Sequence, residues 1–191
     1  VIFTGPPGTG KTEIARRVCH SLAESHSDTY SGYEMTTATA DWSTFETVGG
    51  YMPTETDGEN LSFETGQVLR RFKQDGTQEN ELLVIDEINR ADIDKAFGQL
   101  FTLLSGQEVQ LPYRRDGNEI VVKQADDSSG TPAPHEYIMP DSWRLLATMN
   151  TYDKTSLYEL SYAFMRRFSF IHVDAPQVPE TRAERIDLLK Q

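Results

Sequence analysis

At 191 residues the chain is long enough for one domain with a hydrophobic core, and 37% hydrophobic with 25% charged residues reads as a soluble globular protein. No apolar run approaches the ~20 residues that span a bilayer, so no membrane partner is expected. A formal net charge of -12 argues against the domain itself clamping nucleic acid, which requires a basic face; a DNA-binding domain elsewhere in a longer parent chain is compatible with it.

The chain opens on VIFTGPPGTGKT, with no initiating Met and no signal peptide, and reads as a segment of a longer protein. Val1 to Thr4 is a short apolar strand ending in a Gly-Pro-Pro-Gly turn. Gly5, Pro6, Pro7, Gly8, Thr9, Gly10, Lys11 and Thr12 match G-x-x-x-x-G-K-[ST] in full. The glycines let the backbone curl so that successive N–H groups converge on phosphate oxygens. The helix that follows aims its positive end at the same place. Lys11 supplies a point charge to the β- and γ-phosphates, and the Thr12 hydroxyl suits Mg²⁺. That helix, predicted from Thr12 to about Ser25, carries Ile14, Ala15, Val18 and Leu22 on one face. Cys19 is read as a small core residue of the same helix. As the only cysteine it excludes an internal disulfide and a cysteine metal site, and it fits a reducing cytoplasm. His20, His26, His135 and His172 show no paired metal spacing.

Tyr33 to Ala40 reads as a second strand, and Asp41 to Asn60, rich in Gly, Thr and Asp, as a loop or small insertion. Leu61 to Lys73 reads as a helix with Phe63, Val68, Leu69 and Phe72 inward. Glu81 to Asp86 (ELLVID) is a continuous apolar run, the pattern of a parallel strand covered on both faces. It ends in Asp86 and Glu87, and two carboxylates there are costly unless something at the strand end uses the charge. Ligands of open parallel sheets sit at the carboxyl ends of strands. Asp86 is therefore read as holding Mg²⁺ through its water shell, and Glu87 as orienting and activating the attacking water. Arg90, just beyond, is a candidate for a contact between subunits. Ala91 to Ser105 reads as a helix with Phe97, Leu100, Phe101 and Leu104 in register.

Val109 to Val122 reads as a hairpin turning at Arg115-Asp116-Gly117-Asn118. Gln124 to Glu136 is polar and reads as a mobile loop. Arg144 to Met149 is a buried strand ending at Asn150, whose amide can reach both a γ-phosphate and the lytic water; a turn-forming Asn is the plainer alternative. Tyr158 to Met165 reads as a short helix. Arg166 and Arg167 follow, either as a solvated pair or as an arginine finger supplied across a subunit boundary. Phe168 to Val173 is a last strand, Pro176 and Pro179 mark an exit, and Glu180 to Lys190 begins another helix. Alternating strands and helices imply an α/β sandwich with a mostly parallel sheet. Tyr51, Tyr113 and Arg114 lie in loops suited to partner contact, with simple packing as the alternative.

In this order, the P-loop, the acidic strand end, the strand-end Asn and Arg-Arg-Phe resemble an AAA+ module. DEINRADIDKAFGQLF, the LPY hairpin segment, MPDSWRLLATMNTYDKTS and AFMRRFSFIHV resemble the McrB/MoxR (dynein-related) side of that superfamily, over nearly the whole chain. MNTYDK is similar to the MNxxDR signature of McrB-type motors, with Lys154 in place of arginine; the charge stays but the bidentate fork is lost. The resemblance implies a P-loop NTPase (AAA+) three-layer α/β sandwich with a mostly parallel five-stranded sheet of order 5-1-4-3-2 and a hairpin before the sensor strand. It implies a nucleotide-binding core over 1–175 lacking its N-terminal segment, the start of a truncated helical lid over 176–191, and a hexameric ring. By the same resemblance Lys11 and Thr12 serve phosphate and Mg²⁺, Asp86 serves Mg²⁺, Glu87 is the base, Asn150 is sensor 1, and Arg167, ahead of Arg166, is the finger acting in trans. The expected activity is Mg²⁺-dependent ATP hydrolysis that drives remodelling or translocation of a protein or DNA partner. A GTP-hydrolysing subunit of a McrB-type DNA restriction system, a nucleotide-gated scaffold with little hydrolysis, and a monomeric kinase are the alternatives. ATP is favoured on family grounds and GTP stays open, because the segments that grip the base lie outside this chain.

Overall fold

The computed structural model describes residues 1–53, 61–126, 131–151 and 160–175. β1 (Ile2–Gly5) runs through the phosphate-loop sequence into α1 (Lys11–Ser25), and β2 (Gly32–Thr37) follows. Next come α2 (Thr44–Thr47), β3 (Gly49–Pro53), β4 (Leu61–Thr65), a 3-10 turn at Leu69–Arg71, and the short pair β5 (Lys73–Gln74) and β6 (Thr77–Gln78). β7 (Glu81–Asp86) passes through a 3-10 turn at Ile88–Arg90 to α3 (Ile93–Phe97) and α4 (Leu100–Leu103). β8 (Val109–Arg115), β9 (Asn118–Gln124) and β10 (Glu136–Met139) form a separate three-stranded sheet. β11 (Leu145–Asn150), α5 (Tyr162–Met165) and β12 (Phe170–His172) complete the described chain.

The main sheet has the order β12-β1-β11-β7-β2 with every pairing parallel. Counted along the chain, its strands fall in the order 5-1-4-3-2 that the resemblance implies. Leu82, Leu83, Val84 and Ile85 are all fully buried. Leu82 and Val84 pack with Phe3, Ala15, Cys19 and Leu146 on the α1 side. Leu83 and Ile85 join Ile2, Phe72, Phe97, Leu100, Trp143 and Ala147 on the other. Both faces of β7 are covered, which is why its sequence does not alternate.

The rotation of α1 differs from the sequence reading. Lys11, Ala15 and Cys19 are its buried stripe, while Ile14 and Val18 are exposed. Lys11 is anchored in the loop below, so the residues at i+4 and i+8 from it face the sheet.

Residues 61–73 are not a helix. Leu61–Thr65 pairs antiparallel with Gly49–Pro53, and the chain then turns at Leu69–Arg71. Phe63, Val68, Leu69 and Phe72 are inward, as read, but a strand and a tight turn put them there. Gly66 marks the break: a Cβ there would come within 2.6–2.7 Å of the Glu46 and Thr47 backbone. The helix read over 91–105 is likewise split into α3 and α4 at Gly98 and Gln99. Phe97, Leu100 and Leu103 are buried, with Phe101 and Leu104 partly so. The glycine lowers the helix propensity where the two segments separate.

Two elements, α2 and β3, lie inside the segment 41–60 that reads as a loop, and β10 begins at Glu136, the last residue of the polar stretch 124–136 that also reads as one. α2 is started by a capping box in which Ser43 and Glu46 satisfy each other's backbone groups. β10 pairs in parallel with β9 and buries Tyr137. The β8–β9 hairpin turns as read, with Asp116 and Gly117 both left-handed at φ 53° and 81°. The helix read from Tyr158 is seen from Tyr162, and Lys154 and the segment 176–191 lie outside the described residues.

Candidate nucleotide site

β1 ends at the carboxyl edge of the sheet, and the loop that follows is shaped by glycine. Gly8 and Gly10 are left-handed at φ 78° and 85°, and among the described residues a Cβ on either would meet nothing within 4 Å. The space beside the loop backbone is open, and Gly10 offers no side chain to cap the first turn of α1. That leaves a concave row of backbone groups at a helix N-terminus, a geometry suited to phosphate. Lys11 is only 5% exposed. Its ammonium donates to the carbonyls of Gly5 at 3.1 Å and Pro6 at 2.6 Å, and more distantly to Thr9 Oγ1 at 3.5 Å. Burial pulls its pKa below the usual lysine value, against the opposing pull of Asp86 and Glu87.

At the ends of β7 and β11 the polar side chains meet. Thr12 Oγ1 donates to Asp86 Oδ1 at 2.7 Å. Thr148 Oγ1 donates to the same oxygen at 2.5 Å and accepts the Glu87 N–H at 3.0 Å. Asn150 Nδ2 donates to Glu87 Oε1 at 3.0 Å, and Arg90 Nε pairs with Glu87 Oε2 at 2.7 Å. Glu87 is left-handed at φ 52°, ψ 47°. For a residue other than glycine this conformation costs roughly 1–3 kcal/mol and persists only where the surroundings hold it. Behind it the buried Asn89 donates to the Asn150 carbonyl at 3.4 Å.

The sequence-read residues Lys11, Thr12, Asp86, Glu87 and Asn150 thus converge at one edge of the sheet. A hydroxyl and a carboxylate in direct contact, with no nitrogen or sulfur donor between them, are oxygen ligands of the kind Mg²⁺ takes, so Thr12 and Asp86 fit that ion. Arg90 is engaged by the Glu87 of its own chain. Arg166 and Arg167 lie elsewhere. They precede β12, whose Phe170 pairs with Ile2 at the start of β1, so they sit at the amino edge of the sheet. Arg166 is exposed. Arg167 donates to Ser105 Oγ through Nε at 3.0 Å and Nη2 at 2.7 Å, bonds the Ala163 carbonyl, and lies over the Phe101 ring at 5.6 Å.

Sequence reasoning missed Thr148. The signal was present, because it stands two residues before Asn150 and alternation puts both on one face of the strand. Tyr51, Tyr113 and Arg114 pack among themselves. The Tyr51 hydroxyl accepts the Arg114 N–H at 2.7 Å, and the Tyr51 and Tyr113 rings meet edge to face at 5.5 Å.

Comparison with known proteins bears on the family and the fold. The family model for the AAA domain, dynein-related subfamily, matches residues 1–168. A curated relative, the type IV methyl-directed restriction enzyme EcoKMcrB subunit of Escherichia coli (strain K12), is 29% identical over 188 residues. That alignment takes in 93% of this chain and 36% of the relative, so the chain spans about a third of the relative's length. The crystal structure of a proposed ATPase from Cytophaga hutchinsonii superposes with a TM-score of 0.52 at 18% identity, over 99% of this chain and 44% of that one. At that identity the likeness concerns the fold.

Proposed function

This chain belongs to the AAA domain family, dynein-related subfamily, and from that premise we propose that it binds ATP with Mg²⁺ and hydrolyses it at a site completed by a neighbouring copy. The observation that carries the proposal is the hydrogen-bonded run Thr12–Asp86–Thr148–Glu87–Asn150 at the carboxyl edge of the sheet. Lys11 and the loop amides hold the phosphates. Lys11 leaves the Gly5 and Pro6 carbonyls for the β- and γ-phosphate oxygens, exchanging neutral acceptors for charged ones. Thr12 and, through water, Asp86 would hold Mg²⁺, which would neutralise charge on the phosphates. Glu87 takes the proton of the attacking water, and Asn150, already on its carboxylate, orients that water against the γ-phosphate. Arg167, at the opposite edge of the sheet, serves the site of the next subunit, which is what makes a ring the assembly in keeping with this chain. Hydrolysis there changes the ring and remodels or moves a macromolecular partner.

The decisive experiment is steady-state hydrolysis of ATP and GTP by the full-length protein and its Glu87→Gln variant. Turnover by the parent and none by the variant, with nucleotide still bound, is the expected result; absent turnover in the parent, or an unaffected variant, overturns the reading. The likeness to a restriction-enzyme subunit supports a second reading, a GTP-driven motor in a DNA restriction system. Preference for GTP in the same assay selects it. A nucleotide-gated scaffold sits poorly with Glu87 already aimed by Asn150, and a monomeric kinase with Arg167 so far from Lys11.

A further inference from the structure

We infer that Thr148 is a positioning residue that sets Asp86 and Glu87 as one unit, an inference that rests on the hydrolytic reading above. β7 and β11 pair up to Ile85 and Ala147. Past that point β7 still pairs with β2 through Asp86 but no longer with β11, and at Glu87 its backbone turns left-handed. The Thr148 side chain takes over where the ladder stops. The residue is 2% exposed, and its hydroxyl is used in both directions. Its hydrogen goes to Asp86 Oδ1 at 2.5 Å, and its oxygen receives the Glu87 N–H at 3.0 Å. One atom thereby fixes the carboxylate assigned to the metal and the backbone that aims the base. Asn150, two residues further along β11 on the same face, holds the other end of Glu87 at 3.0 Å. β11 grips Glu87 by its amide and by its carboxylate, and a rotation of either strand end changes both grips together.

A buried strand threonine that merely fills space is indifferent to valine, which has the same shape. A threonine that positions Glu87 is not, since valine neither donates nor accepts. Serine keeps both hydrogen bonds and loses only a methyl group.

The test uses the full-length protein with Thr148→Val and Thr148→Ser, read in two ways. The first is kcat and the affinity for ATP with Mg²⁺. The Thr148→Val substitution should lower kcat by about 100-fold, the scale of a 1 Å misplacement of a catalytic group, while affinity changes by less than about 3-fold, because Thr12 still holds Asp86 Oδ1, and the serine variant stays within about 3-fold of the parent. The second is amide hydrogen exchange without nucleotide, which needs no hydrolysis. The Glu87 amide should be protected in the parent and the serine variant and lose protection in the valine variant, with Leu83, Val84 and Ile85 unchanged. A parent that does not hydrolyse but shows this exchange pattern defeats the enzymatic reading and leaves the coupling standing. Parental kcat and Glu87 protection in the valine variant overturn the inference. So does loss of protection throughout β7, which would assign the hydroxyl to sheet stability, and so does a serine variant as impaired as the valine one.

Discussion

The ammonium of Lys11 rests on two loop carbonyls with its pKa pulled down by burial, so the loop is closed on its own lysine. Lys11→Ala should weaken nucleotide binding by about 2–5 kcal/mol, the scale for truncating one partner of a buried charged pair, as read by equilibrium titration with a fluorescent ATP analogue. Two glycines of the loop separate binding from stability. Gly5, at φ 146°, would place a Cβ 2.2 Å from the Val173 carbonyl, so Gly5→Ala has to push β12 off β1. It should cost about 1–3 kcal/mol in urea unfolding. Gly8 has open space around it, so Gly8→Ala should cost only about 1 kcal/mol of backbone strain and show its main effect on phosphate affinity. At this scale much of the candidate site was legible. Lys11, Thr12, Asp86, Glu87 and Asn150 stand at strand ends or in a loop whose pattern states the chemistry. Thr148 was legible only in its position on the Asn150 face; its role was not, because a threonine inside a buried strand looks like packing until its hydroxyl is seen between Asp86 and Glu87.

Elements were legible where one physical rule dominated. ELLVID reads as a doubly covered strand because its interior residues are all apolar, and Asp116-Gly117 reads as a tight turn because both positions need left-handed backbone. Residues 61–73 misled because Phe63, Val68, Leu69 and Phe72 fit a helical stripe, while tertiary packing placed the same four by a strand and a 3-10 turn. Phe72 is fully buried and meets Trp143 edge to face at 4.9 Å. Phe72→Ala should therefore cost about 3–5 kcal/mol, measured by denaturant midpoint. β10 went unread because it adjoins a polar stretch, and Glu136, the last residue of that stretch, starts it. Its carboxylate accepts the Ala133 N–H at 3.0 Å and pairs with Lys123 at 3.0 Å, which together hold its pKa below the usual 4.5. A carboxyl depressed on folding stabilises above its unfolded value and loses that contribution as pH falls through the folded one. Stability should thus decline on acidification below 4.5, and Glu136→Gln should flatten that part of the urea-midpoint profile.

Across the whole molecule the sheet keeps Lys11 and Arg167 apart. β1 separates them by its length from Ile2 to Gly5, about 10 Å at ~3.3 Å per residue, and Arg167 lies three residues before the strand that pairs with Ile2. Its guanidinium is further tied to Ser105 and laid on Phe101. If an arginine so placed serves phosphate chemistry, it does so on another molecule, as proposed above, and a surface that meets a different surface of the next copy builds a ring when the rotation closes. Full-length Arg167→Ala should lose about 10³-fold or more in turnover, the scale of an arginine finger, with nucleotide affinity intact. Complementation separates action in trans from a structural role. Lys11→Ala and Arg167→Ala should each be inactive alone, but mixed in equal amounts they should give about a quarter of interfaces with an intact Lys11 on one side and an intact Arg167 on the other. ATPase activity should reappear in the mixture in proportion to those interfaces, with ring formation followed by sedimentation. If assembled mixtures stay inactive, or if Arg167→Ala binds nucleotide as poorly as Lys11→Ala, Arg167 is not the residue that reaches the neighbouring site.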